Sequence, residues 1–145
     1  MTLKWTKPVD VSILFGQQAL GKLVTFTVLH QAELTQYVKI TNQEDEPITF
    51  TTMNGEESSF PISGQGTTVG FFNDVAGYFF LEEGYQIYFA NSGTQQSKFQ
   101  LGGPTTFTVN GEVYGGVLLF AVEDFGGEEE YDDTTMILEW YKENG

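Results

Sequence analysis

Seven carboxylates fall within eleven residues between Glu123 and Asp133, in the run EDFGGEEEYDD. Two carboxylates about 5 Å apart at an effective dielectric near 20 repel by roughly 3 kcal/mol, so the run needs either free solvation or a cation. Calcium suits it, because it takes about 6–8 oxygen ligands in flexible geometry from Asp, Glu and backbone carbonyls. Magnesium fits less well, since it uses few carboxylates and keeps several waters. Zinc finds no thiolate and a single imidazole, His30. Gly126-Gly127 permits a sharp turn that lets both flanks converge. If the segment is extended, Glu128, Glu130 and Asp132 point one way and Glu129, Tyr131 and Asp133 the other, so one set can face a metal. The spacing is not that of an EF-hand loop, and a charge run is more often a solvated face. An acidic loop that merely keeps two strand ends in water is therefore the alternative.

The loop follows the apolar run Val117–Val122 and precedes the alternating run Thr134–Trp140. Strand-like alternation recurs at Val9–Phe15, Lys22–Leu29, Tyr37–Thr41, Ile48–Thr52, Thr67–Phe72, Tyr78–Leu81, Tyr85–Phe89, Ser97–Leu101, Thr105–Val109, Val117–Val122 and Thr134–Tyr141. Turn signals at Asn54-Gly55, Ser63-Gly64, Gly102-Gly103-Pro104 and Asn110-Gly111 separate them. No helix is expected, because Gln17–Leu23 is short, bounded by Gly16 and interrupted by Gly21. The expected fold is all-β, an antiparallel β-sandwich of jelly-roll or Greek-key type, with residues 1–145 forming a single domain. The 13 Phe and 7 Tyr supply its core.

Composition narrows the function. A formal charge of −14 with six Lys and Arg together repels phosphate backbones, which argues against nucleic acid. No apolar stretch approaches the length of a membrane span, so no membrane insertion is expected. The absence of Cys removes disulfides and thiol catalysis. The N-terminus has no hydrophobic leader pattern, so the expected location is cytoplasmic, or outside the cell by release without a conventional signal peptide. His30 has no Cys or Ser partner motif and is expected on a strand surface.

The stretch Phe120-Ala121-Val122-Glu123-Asp124, through Glu130-Tyr131-Asp132-Asp133 and on to Trp140, resembles the C-terminal signature of bacterial two-calcium lectins that bind fucose and mannose. A related acidic loop occurs in bacterial surface domains thought to bind calcium. The resemblance implies calcium as cofactor, with Glu123, Glu128, Glu130, Asp132 and Asp133 as ligands and Asp124 as a sugar contact. Asp132 stands where the family has Asn, and one residue is inserted near Gly126-Gly127. A second segment, Phe89-Ala90-Asn91-Ser92-Gly93-Thr94-Gln95, is similar to another lectin segment and implies Asn91 as a calcium ligand, with Asn91 and Ser92 contacting sugar.

The expected function is therefore a lectin for fucose- or mannose-type glycans, non-catalytic, with calcium bridging protein oxygens and sugar hydroxyls. Tyr131, Tyr141 or Trp140 would meet the sugar's apolar face, with Trp140 equally a candidate for the core because it continues an alternating strand. The alternatives are a calcium-independent cytoplasmic defence-type lectin and a calcium-stabilised structural domain. Catalysis by a carboxylate pair is disfavoured, because carboxylates this dense read as metal ligands. The expected partners are glycans or glycoconjugates, bound by a homodimer or larger homo-oligomer that gains strength by multivalency.

Overall fold

A computed structural model describes residues 2–125 and 130–143, with the backbone alone for 73–75. The strands are β1 (Val9–Asp10), β2 (Leu23–Thr41), β3 (Thr49–Thr52), β4 (Glu57–Ser59), β5 (Ile62–Phe80), β6 (Gln86–Asn91), β7 (Lys98–Val109), β8 (Glu112–Glu123) and β9 (Thr134–Tyr141), with a short helix, α1 (Val11–Phe15), and a single 3-10 turn at Gln17–Ala19. All pairings are antiparallel. The order is β4-β3-β5-β2-β9-β8-β7, and β6 pairs with β2 and β1.

β2 organises this sheet. Its first half, Leu23 to His30, pairs with β9, whereas its second half, Gln36 to Thr41, pairs with β6. β5 runs along its other edge, with register shifts around Thr27, His30 and Ala32. Those irregularities bend the strand, so the β9-β8-β7 half folds over the β6-β1 half as a sandwich. The stacking shows in Phe89 of β6, whose ring centroid is 5.2 Å from that of Phe120 in β8, a strand with which it does not pair.

Alternation selects the core. In β2 the even positions Val24, Phe26, Val28, Val38 and Ile40 are buried, and in β9 Met136, Leu138 and Trp140 are buried. Trp140 is 2% exposed and is a core residue. A Cβ on Gly116 would come within 2.6 Å of its Nε1, so the missing side chain on β8 makes room for the indole. Trp140 therefore cannot offer its face to a sugar. His30, expected on the surface, is buried in phase with the core, edge-on to Phe72. Its Nδ1 has no hydrogen-bond partner among the described residues.

Several expected boundaries move. Val9–Phe15 is not one strand, because Asp10 accepts from the Ile13 N–H and caps α1 immediately after two strand residues. The expectation of no helix is corrected by that short helix and by the 3-10 turn Gln17–Ala19, at the start of the stretch passed over as too short. Ser63-Gly64 lies inside β5, and Gly102-Gly103-Pro104 lies inside β7, where the pairing with β8 skips from Gly102 to Thr105. The expected runs Ser97–Leu101 and Thr105–Val109 therefore join into β7, and β5 starts before Ser63-Gly64 and takes in Thr67–Phe72 and most of Tyr78–Leu81. Asn110-Gly111 is a true two-residue hairpin turn, with φ of 53° and 79°, and β9 matches the expected run.

Replacing Trp140 by Ala should cost about 3–5 kcal/mol through the cavity it leaves. Urea unfolding checks the loss, and Trp140→Phe should recover much of it with sugar binding unchanged.

Candidate functional site

The acidic segment joins the end of β8 to the start of β9, beside the bend in β2. Glu123 is fully buried, and its two carboxylate oxygens accept the backbone N–H groups of Phe125, at 2.7 Å, and Glu130. One side chain thereby clasps both described flanks of the loop. Asp124 is also buried; its Oδ2 accepts from Gln36 Nε2 at 2.8 Å, and its own N–H donates to Asp133 Oδ2 at 2.9 Å. Asp133 is placed by the ladder, donating its N–H to the Val122 carbonyl and accepting the Gln31 N–H at its own.

The result is a cluster in which carboxylate oxygens of Glu123, Asp124 and Asp133 lie within 4.8 Å of one another. Such proximity is costly for three negative charges in a partly dry site. Burial pushes the Asp133 carboxyl up to about 7, and the charges of Asp124 and Glu123 add to it, while the Asp124 N–H opposes them. Phe125 follows with φ of 61°, a left-handed conformation rare for a bulky side chain and held here by the Glu123 clasp. Above the loop, Lys98 Nζ lies 4.9 Å from the Phe125 ring centroid and 5.6 Å from that of Tyr131.

Glu123, Asp124 and Asp133 thus converge. Asp132 and Glu130 are exposed at the rim, Tyr131 is half-buried beside Lys98, and Glu128 and the Gly126-Gly127 pivot lie outside the described residues. Asn91 and Ser92 arrive from the end of β6. Asn91 Nδ2 donates to Ser97 Oγ at 2.7 Å and to the Gln95 carbonyl at 3.1 Å, and reaches the carbonyl of Asp124, 33 residues away in sequence, at 3.5 Å. Its Oδ1 accepts the Gly93 N–H at 2.7 Å, so the side chain braces two loops against each other. Ser92 is pinned to the bend in β2, where its Oγ accepts the Thr35 N–H at 3.0 Å.

Gln36 is the residue that sequence reading missed. It is fully buried, holds Asp124, and accepts Thr134 Oγ1 at its Oε1 at 3.0 Å. Its signal was available, since an amide two residues before Val38 and four before Ile40 occupies the core phase of the strand. Lys98 and Phe125 carry no comparable mark.

The profile of the fucose-binding lectin II (PA-IIL) family matches residues 18–142. The chain belongs to this lectin family. Membership makes it a carbohydrate-binding protein and not a catalyst. Among solved structures, it is similar to the Chromobacterium violaceum lectin CV2L in complex with alpha-methyl-fucoside, at 20% identity and TM-score 0.57, covering 86% of this chain and 97% of that one. The C-terminal domain of the BC2L-C lectin from Burkholderia cenocepacia matches at 15% identity and TM-score 0.57, over 83% of this chain and 89% of that one. The high-affinity mannose-binding lectin of Ralstonia solanacearum matches at 14% and 0.56, over 86% and 97%. These likenesses show that the lectin fold is shared. No curated protein matches the sequence.

The raised Asp133 pKa has a definite sign. The folded protein holds a proton that the unfolded chain, near 3.8, has already released, so this group's contribution to stability is present below about pH 4 and is lost as pH rises through about 7. Without added metal, Asp133→Asn should therefore gain stability over the parent between pH 5 and pH 8, read as a difference in denaturation midpoint that grows with pH.

Proposed function

We propose that the lectin binds a fucose- or mannose-type sugar through calcium held by Glu123, Asp124 and Asp133, with Asp132, Glu130 and Glu128 completing the site from the loop. The observation that carries this reading is the spacing of the three carboxylates. Ligands on opposite sides of a calcium ion stand about 4.6–5.2 Å apart, and these oxygens lie within 4.8 Å of one another. The donors are all hard oxygens, as calcium requires. Bound there, calcium would neutralise the cluster and offer open positions to vicinal hydroxyls. Gln36 fixes the Asp124 carboxylate, Glu123 holds the loop ends, and Asp133 gives up its proton. Asn91 and Ser92 shape the wall from β6, and Tyr131 supplies apolar surface for the sugar ring.

Fucoside and mannoside binding, measured by calorimetry in calcium and again in chelator, tests the reading. Affinity and the number of sugars bound per chain should both fall in chelator and in Asp133→Asn with Asp132→Ala; isotherms unchanged by both would rule the bridge out. Gln36→Ala should weaken calcium about 10–100-fold as a support removed from a ligand.

We further propose that a second copy of the chain covers the outer face of the sheet. Cross-strand register lines up Leu119, Ile137 and Thr27 in one row and Ala121, Thr135, Leu29 and Phe71 in the next, all on the side away from the core. Phe71 is 51% exposed and Leu119 36%. Neither row contains a charge, and Glu139 in the adjacent row takes the Tyr141 hydroxyl, so in a chain of net charge −14 these two rows are where two copies can approach with least repulsion. Four strands about 4.8 Å apart and eight residues long at about 3.4 Å span on the order of 500 Å² before side-chain relief. That approaches the ~800 Å² per partner of a stable interface. Ile137→Lys should yield a monomer by sedimentation with unchanged affinity for free sugar, and should lose at least about a hundredfold in avidity for a glycan-coated surface.

A further inference from the structure

The family match begins at residue 18, yet residues before it are built into the fold. The Thr6 N–H bonds the Phe89 carbonyl at 2.8 Å, β1 pairs with β6, and Lys39 Nζ sits 4.4 Å from the Trp5 ring centroid and 4.7 Å from that of Tyr88. The Val11 N–H then bonds the Tyr85 carbonyl at 2.9 Å, which carries the strap into α1. Both ends of β2 meet here, at the pole of the sandwich opposite the acidic cluster, which lies at the bend of that strand.

The strap and the loops after β2 and β5 wall two adjoining hollows, of about 500 and 350 Å³, that share Leu20, Gln43 and Glu83. Volumes of roughly 300–1,000 Å³ are those of small-molecule sites. The walls are set by internal bonds. Asp10 Oδ1 accepts from Ser12 Oγ at 2.5 Å and from the Ile13 N–H at 3.0 Å, and Ser12 Oγ accepts the Gly84 N–H at 3.1 Å. Gln43 lies so close over Gly84 that a Cβ there would stand 2.2 Å from its Cγ. Little ordering remains for a ligand to impose.

The chemistry lining the groove is mixed. The Gln43 amide both donates and accepts, Glu83 accepts, and the Tyr85 ring packs against Phe79 with its hydroxyl on Glu82. Ile13 stands at the lip, 75% exposed, on a helix where Val11 and Phe15 are buried and Leu14 is partly buried. No Lys or His lines either hollow among the described residues. A ligand that suits these walls has hydroxyls to donate to carboxylates, an apolar ring face for Tyr85, Leu20 and Ile13, and no negative charge. We infer that this groove is a second saccharide site, independent of calcium, for neutral hexoses or short neutral oligosaccharides. One chain would then hold glycans at opposite poles and cross-link them without a partner copy.

The test uses the full chain in chelator, screened on an array of neutral and sialylated glycans and followed by calorimetry with the strongest neutral hit. Binding of neutral glycans should persist in chelator, be absent for sialylated ones, and fall about tenfold in Gln43→Ala and in Ile13→Asp. The Ile13 position is exposed, so that variant tests contact and not folding. Asp133→Asn should leave the chelator-resistant binding intact. Loss of all neutral-glycan binding in chelator overturns the groove and leaves the acidic-cluster reading standing. Chelator-resistant binding that both groove variants leave unchanged, or that Asp133→Asn abolishes, overturns it as well.

Discussion

A nineteen-residue strand hydrogen-bonded along both edges cannot bend without giving up register, and β2 does so at Thr27, His30 and Ala32. The rest of the molecule follows from that bend. It swings β6 over β8, closes the aromatic core around Phe89 and Phe120, presents Gln31 and Gln36 to the loop between β8 and β9, and presents Thr35 to Ser92 after β6. A straight β2 would leave two flat sheets with no common interior and no wall for the carboxylates. The bend is thus a packing device and the scaffold of the site.

The acidic cluster shows how a fold holds charges that repel. Glu123 is buried, yet each of its oxygens accepts a backbone N–H, which satisfies a charged acceptor in a dry place. Asp124 is held by an amide, and Asp133 relieves the strain by keeping its proton to about pH 7. These bonds fix the positions of the carboxylate oxygens within the fold. The left-handed Phe125 belongs to the same economy, since local strain persists only where surrounding bonds over-determine it.

Much of the fold was legible because period-two alternation reports which face is buried, and β9 shows it without a break. What alternation cannot report is whether glycine ends a strand or lies within it. Ser63-Gly64 and Gly102-Gly103-Pro104 read as turns, but neighbouring strands pair across them and the chain continues. In the site, charge density located the loop, whereas Gln36 was passed over as one polar residue among many. Its significance comes from being in phase with Val38 and Ile40, and only a closed core turns that phase into a demand for hydrogen bonds.

The sequence by itself determined that this is a β protein with a single dense acidic loop between two apolar strands, because alternation and charge are properties of neighbours along the chain. Tertiary structure decided which carboxylates meet. Glu123, Asp124 and Asp133 converge because β8 and β9 are paired up to Val122 and Thr134, which sets the two ends of the loop side by side. It also decided that Asn91 touches this loop, that Trp140 is core and that His30 is buried, since each depends on how far apart strands lie once β2 has bent. Distances across a sandwich are fixed by packing, and no spacing along the chain encodes them.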